Sequence, residues 1–280
     1  MQIVSRIAPT PSGYLHLGNA LNFVLTWAMV RQAGGQLWLR IDDMDGPRCR
    51  PEYVDDIFWA LQWLGLDYDK GPKDATDFYA NYSQLKKIDF YRSKLKKLAH
   101  LSYACECSRQ DIRLLAHSAL YPGTCFSKKL KYDVQKHALR LHVDDEGLRK
   151  LYGDFILWRK FDLPSYHLVS LIEDHVMGVN LLVRGNDLRE SSLLQQYLAK
   201  KLKYTHFLQA KFIHHKMIFT SAGEKLSKSN AALSLQAMAQ AGTLPKDIFQ
   251  RLAGSLGLEF VTDIETAQDF LRAYKARSFS

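Results

Sequence analysis

The chain opens on a short apolar run, "IVSRIAP", which predicts a strand over residues 3–7. The loop "PTPSGYLHLGN" follows. Apolar positions then recur at helical spacing through "LGNALNFVLTWAMVRQA", and Gly34 and Gly35 stop them. "QLWLRI" predicts a buried strand that ends at Asp42 and Asp43. Pro51 opens a second helix, "PEYVDDIFWALQWL", and Gly65 stands where a helix C′ residue belongs. Strand, helix, strand and helix with short connections predict a parallel α/β sheet of Rossmann type.

The pattern changes near residue 75. "SQLKKIDFYRSKLKKLA" reads as one Lys-rich amphipathic helix, with Leu85, Ile88, Leu95 and Leu98 turned inward. A cysteine region and the short strands "HALRLHV" and "DFILW" follow. The sheet pattern resumes in "SYHLVSLIEDHVMGVNLLVRG", with a helix at "ESSLLQQYLAKKL" and a strand at "HKMIFT". Past the polar loop "SAGEKLSKSN" the chain reads as helical, with Pro245 near a helix start. These shifts predict a catalytic core from residues 1–74 and 165–220, an inserted domain over 75–164, and a loop with a helical subdomain over 221–280.

Composition adds partners and compartment. The 280 residues carry a net charge of +9, which favours a polyanionic partner because clustered cations displace counterions from phosphates. Arg6, Pro9 and Pro11 interrupt any signal-like segment, and "ALNFVLTWAMV" is too short to span a bilayer. A soluble, cytoplasmic protein is therefore expected, with no membrane partner and as a monomer. In a reducing compartment its four cysteines are more readily free, catalytic or metal-bound than paired.

Two short motifs carry candidate chemistry. "HLGN" (His16–Asn19) sits between a strand and a helix, where unpaired N–H groups and the helix dipole suit a phosphate. His16 can donate to a phosphate oxygen, and Gly18 leaves room for a flat base. "GEKLSKSN" sets Lys225 and Lys228 three apart, where they can neutralise charge that builds on a phosphoryl group, with Ser227 and Ser229 as hydroxyl donors. Alone, the first reads equally as a turn glycine with a capping histidine, and the second as a solvated loop.

Together, in this order, the two motifs resemble the signatures of the class I aminoacyl-tRNA synthetases. "RIAPTPSGYLHLGNA", "LRIDDMD" and "SYHLVSLIEDHVMGVNLLVRG" resemble the glutamate-specific branch. The resemblance implies ATP-binding by His16, Gly18, Asn19, Lys225, Ser227 and Lys228, with His16, Lys225 and Lys228 catalytic and Mg²⁺ accompanying ATP. It implies a glutamate site built from Arg6, Thr10, Asp42, Tyr166 and Arg184. The arginines pair with the two carboxylates, in an order the sequence leaves open. Thr10 and Asp42 take the α-ammonium. Asp42 stands where the family usually has Glu, so its carboxylate retreats by about 1.5 Å. "EDH" (Glu173–His175) is conceivable as a metal site, but neighbours on a helix diverge, which favours a structural role.

Only about fifty residues follow the lysine loop, too few for the anticodon-reading region of full glutamyl-tRNA synthetases. The chain accordingly resembles the short glutamyl-Q branch. The resemblance implies L-glutamate activation by ATP without tRNA, then transfer to the queuosine of tRNA(Asp). A shortened enzyme that charges a tRNA 3′ end and a non-catalytic RNA-binding paralogue are the alternatives. The same branch gives meaning to "SYACECSRQ": its Cys-x-Cys and Tyr-x₃-Cys pattern falls on Cys105, Cys107, Tyr121 and Cys125. That pattern implies one structural Zn²⁺, with Tyr121 preferred over His117 as fourth ligand.

Overall fold

The computed structural model describes residues 2–116, 120–216, 234–258 and 264–277. In chain order the elements are β1 (Val4–Ile7), α1 (Leu17–Gln32), β2 (Gln36–Leu39), α2 (Pro51–Trp63), α3 (Ala75–Asp77), α4 (Ile88–Leu95), β3 (Ser102–Cys105), α5 (Arg109–Ala116), β4 (Ala138–Leu141) and α6 (Glu146–Tyr152). Then come β5 (Ile156–Arg159), β6 (Leu163–Pro164), α7 (Tyr166–Val176), β7 (Leu181–Gly185), α8 (Arg189–Leu202), α9 (Thr205–Leu208), β8 (Lys211–His215), α10 (Leu235–Gln240), α11 (Pro245–Ser255) and α12 (Ala267–Arg277). Two compact units form: residues 1–86, 176–193 and 206–280 in one, and 87–175 with 194–205 in the other.

The first unit is parallel α/β. β1 pairs with β2 in parallel, Arg6 opposite Trp38, and β7 pairs with β8, Arg184 opposite His214. β1 also lies beside β7: Asn180 exchanges bonds with Val4 through its side-chain oxygen (2.8 Å) and its N–H (3.0 Å), and Ser5 Oγ donates to the Leu181 carbonyl. Helix α1 is apolar almost all round and accordingly buried on most sides, Trp27, Val24, Ala28 and Val30 completely. α2 ends as its sequence implies. Gly65 takes φ +64° and its N–H reaches the Gln62 carbonyl, while that of Leu66 reaches Leu61.

The second unit is an antiparallel sheet in the order β3-β4-β5-β6. The structure corrects two of the expected elements. The Lys-rich segment is not one helix: 3₁₀ turns over 84–87 and 96–101 flank α4, Leu85 is exposed, and Tyr91 and Leu98 are the buried anchors. The first half of "SYHLVSLIEDHVMGVNLLVRG" is helix α7, and only Leu181–Gly185 is strand. Of the expected strand "HKMIFT", residues 217–220 lie outside the described residues; the described strand is Lys211–His215, in parallel register with β7.

Candidate active site

His16 is the N-cap of α1. Its Nδ1 accepts from the Gly18 N–H (3.1 Å), while Asn19 Oδ1 accepts from the His16 N–H (3.0 Å), a reciprocal capping box. Asn19 therefore fixes the turn rather than merely lining it. A Cβ on Gly18 would fall 2.9 Å from His16 Cε1, so glycine is what lets the imidazole fold over the helix start. Asp56, fully buried on α2, supports the same turn from behind: its Oδ2 accepts from the Leu15 N–H at 2.7 Å. No local sequence signal marked Asp56.

The described residues on either side of segment 217–233 lie close to this turn. On one side, His215 Nε2 meets Asn22 Nδ2 at 3.2 Å, and Asn22 also donates to the Val183 carbonyl. On the other, Ser234 bridges His16 and the Leu235 N–H donates to the Leu15 carbonyl at 2.7 Å. Lys225, Ser227 and Lys228 lie outside the described residues, but the described chain enters and leaves that segment beside the N-terminal turns of α1. His215 is largely buried in this setting. Burial, then the bond to the Lys216 carbonyl acting the other way, leaves its pKa below 6.5.

Arg6, Arg184, Thr10 and Asp42 occupy the carboxyl ends of neighbouring parallel strands or the residues just beyond, where open α/β sheets place their ligand sites. Arg6, Arg184 and Asp42 are buried, and Thr10 is half-buried. Past β2 the two strands stay paired, the N–H of Arg40 on the Ile7 carbonyl and that of Asp42 on the Pro9 carbonyl. Asp42 already has strong partners. Arg40 grips it through Nε (2.6 Å) and a terminal nitrogen (3.0 Å), and Gln84 Nε2 donates to the same carboxylate at 2.8 Å. Sequence reasoning missed both partners. Asp43 beside it accepts from Ser83 Oγ (2.5 Å) and the Gln84 N–H (2.8 Å), and burial raises its pKa. Arg184 donates to Ser192 Oγ at 3.0 Å, and that hydroxyl also meets His214 Nε2. Tyr166 opens α7 in the second unit.

In that second unit Cys105, Cys107 and Cys125 bring their sulfurs within 4.8 Å of one another, a group that could hold a metal ion. Cys107 and Cys125 Sγ stand 3.5 Å apart. A tetrahedral zinc with Zn–S near 2.3 Å sets sulfurs about 3.8 Å apart, so the spacing fits. The Tyr121 hydroxyl accepts from the Cys125 N–H at 2.8 Å and contacts the thiols of Cys105 and Cys125. The buried Arg140 guanidinium lies 3.7 Å from its ring centroid. Burial, then the bond with Cys125, pushes the Cys107 thiol up to about 12. Burial also opposes a thiolate at Cys125, but bonds from Tyr121 and the neighbouring thiols outweigh it and lower its pKa. His117 lies outside the described residues. Glu173 accepts from Tyr91 (2.7 Å) and pairs with Lys87 (3.3 Å), and His175 stacks on Tyr204, so these residues have packing partners of their own.

A parallel sheet with buried arginines at its strand ends and a histidine-capped crossover helix places these residues where open α/β folds bind their ligands. The family model "tRNA synthetases class I (E and Q), catalytic domain" matches residues 2–146 and 122–276. A Glutamyl-Q tRNA(Asp) synthetase of Nitratidesulfovibrio vulgaris is 35% identical, over 91% of this chain and 87% of its own. One from Symbiobacterium thermophilum is 32% identical with the same coverages. A glutamate–tRNA ligase of Anaeromyxobacter is 31% identical over 88% of this chain but only 56% of its own. Among solved structures, glutamate–tRNA synthetase from Elizabethkingia anophelis shares the fold, with TM-score 0.76 at 20% identity, covering 97% of this chain and 65% of that one. The chain belongs to the class I (E and Q) tRNA synthetases and, within them, to the glutamyl-Q tRNA(Asp) synthetase family.

Proposed function

We propose that this protein activates L-glutamate with ATP in the absence of tRNA and transfers it to the queuosine of tRNA(Asp). The observation that carries this reading is the match to glutamyl-Q relatives along nine-tenths of the chain and 87% of theirs. The buried strand-end arginines and the capped turn of α1 support it.

Glutamate brings two carboxylates and an ammonium. Arg6 and Arg184 hold the carboxylates, Tyr166 donates its phenol to one of them, and Thr10 and Asp42 receive the α-ammonium. Arg40 and Gln84 keep the short Asp42 side chain in one position. The α-carboxylate oxygen attacks the α-phosphorus of ATP. A carboxyl–phosphate bond forms, and the bond to the β-phosphate oxygen breaks as pyrophosphate leaves with the electron pair. His16 and the N–H groups at the start of α1 bind the phosphates. Lys228, supported by Lys225, offsets charge that grows on them. Mg²⁺ accompanies ATP and screens its charge. A queuosine hydroxyl then attacks the activated carbonyl and releases AMP.

Cys105, Cys107, Cys125 and Tyr121 hold one structural Zn²⁺ that ties the inserted segment together. The protein acts as a cytoplasmic monomer. ATP–pyrophosphate exchange with glutamate and no tRNA tests the first half: exchange is expected, and its absence contradicts the proposal.

A further inference from the structure

Beside the cysteine cluster, wholly within the second unit, lies a cavity of about 630 Å³ lined by Tyr121, Phe126, His142, Arg149, Lys150 and Asp154, among others. That volume suits a ligand of nucleotide size. Its walls combine three features. Phe126 stacks on His142, centroids 3.9 Å apart at 14°, yet Phe126 remains 48% exposed. An exposed phenylalanine in such a stack offers a flat apolar surface that water solvates poorly. The stack is held in place: His142 Nδ1 lies 3.3 Å from Asp154 Oδ2, which also accepts from Tyr103 OH (2.6 Å), and Asp154 Oδ1 accepts from the Val143 N–H (2.9 Å). The pocket's carboxylate is therefore spent on its own walls.

The rim is cationic. Arg149, exposed on α6, makes no ion pair among the described residues, and Lys150 meets only the exposed Glu146 at 3.6 Å. The segment that carries Phe126 continues "SKKLK", where Lys129 and Lys131 are exposed and likewise without ion pairs among the described residues. Aromatic surface flanked by uncommitted cations is the arrangement that binds single-stranded nucleic acid.

We propose that this cavity receives one unpaired nucleotide of an RNA chain, its base stacked against the Phe126–His142 pair and its phosphate on Arg149 and Lys150. Lys129 and Lys131 extend the contact to neighbouring phosphates, which a free mononucleotide could not use. That the partner is RNA rests on the function proposed above.

Fluorescence anisotropy of the full chain with a labelled transcript of tRNA(Asp) tests the site. Phe126→Ala should weaken binding by roughly 5- to 100-fold, and Phe126→Trp should restore it. Arg149→Glu, on an exposed helical surface, should weaken binding and flatten its salt dependence. Wild-type affinity in both Phe126→Ala and Arg149→Glu overturns the proposal, and so does loss with Arg149→Glu alone, which would leave only diffuse charge. Pyrophosphate exchange by the wild-type protein without RNA, measured alongside, separates the two readings. Exchange with unaffected variants rejects the pocket and leaves glutamate activation standing.

Discussion

At the residue scale, Gly18, His16 and Asp56 determine the shape of the α1 turn, and Gly18 and Asp56 each make a separate prediction. Gly18→Ala forces a Cβ against the imidazole at 2.9 Å, so His16 must swing away. Pyrophosphate exchange should fall on the order of 10²-fold, because misplacing a positioning group by about 1 Å costs that much. Asp56→Ala leaves the Leu15 N–H buried without its acceptor and should cost about 1–3 kcal/mol by urea denaturation. His215 adds a pH dependence. Nε2 accepts from Asn22 and Nδ1 donates to Lys216, which suits only the neutral ring. Its folded pKa lies below 6.5, so the unfolded chain takes up a proton first as pH falls. Stability present above pH 6.5 should be lost below it, and urea midpoints at successive pH values should show the decline shrinking in His215→Asn. The motif residues were legible in the sequence because they are contiguous. Asp56, Arg40 and Gln84 were not. Gln84 reaches Asp42 across 42 positions, and nothing local marks such a pairing.

At the scale of elements, the first two strands and helices could be read directly, because caps and stops are local: Pro51 and Gly65 bracket α2 as their backbone preferences require. Misreadings arose where tertiary contacts outweigh periodicity. Tyr91, bonded to Glu173, anchors the Lys-rich segment, so it breaks around α4 and leaves Leu85 in solvent. β8 at Lys211–His215 is fixed by its parallel register with β7, from Leu181 opposite Lys211 to Gly185 opposite His215, a long-range pairing that no local pattern marks. The cysteine turn has the opposite character. Its sulfurs converge across sequence, from β3 to Cys125, with little apolar packing of their own. Purified protein should carry one zinc per chain by elemental analysis. Its removal should expose the amides of residues 102–141 to hydrogen exchange while those of α1 stay protected. A metal-free preparation with protected amides there would contradict the zinc assignment.

For the whole molecule, the charge of +9 and the family membership converge on a polyanionic substrate. Affinity for tRNA should fall steeply with salt, since each neutralised phosphate releases counterions. Among the described residues no helix is long and apolar enough to cross a membrane. The relatives divide between those named Glutamyl-Q tRNA(Asp) synthetase and those named glutamate–tRNA ligase, and the function proposed above turns on where the glutamyl group ends up. The most direct measurement is transfer of radiolabelled glutamate from ATP-activated enzyme to tRNA(Asp), with and without queuosine. Labelling only of the queuosine-bearing tRNA, surviving removal of its 3′-terminal adenosine, is the predicted result. Labelling that persists without queuosine, or that disappears with the 3′ end, would contradict it.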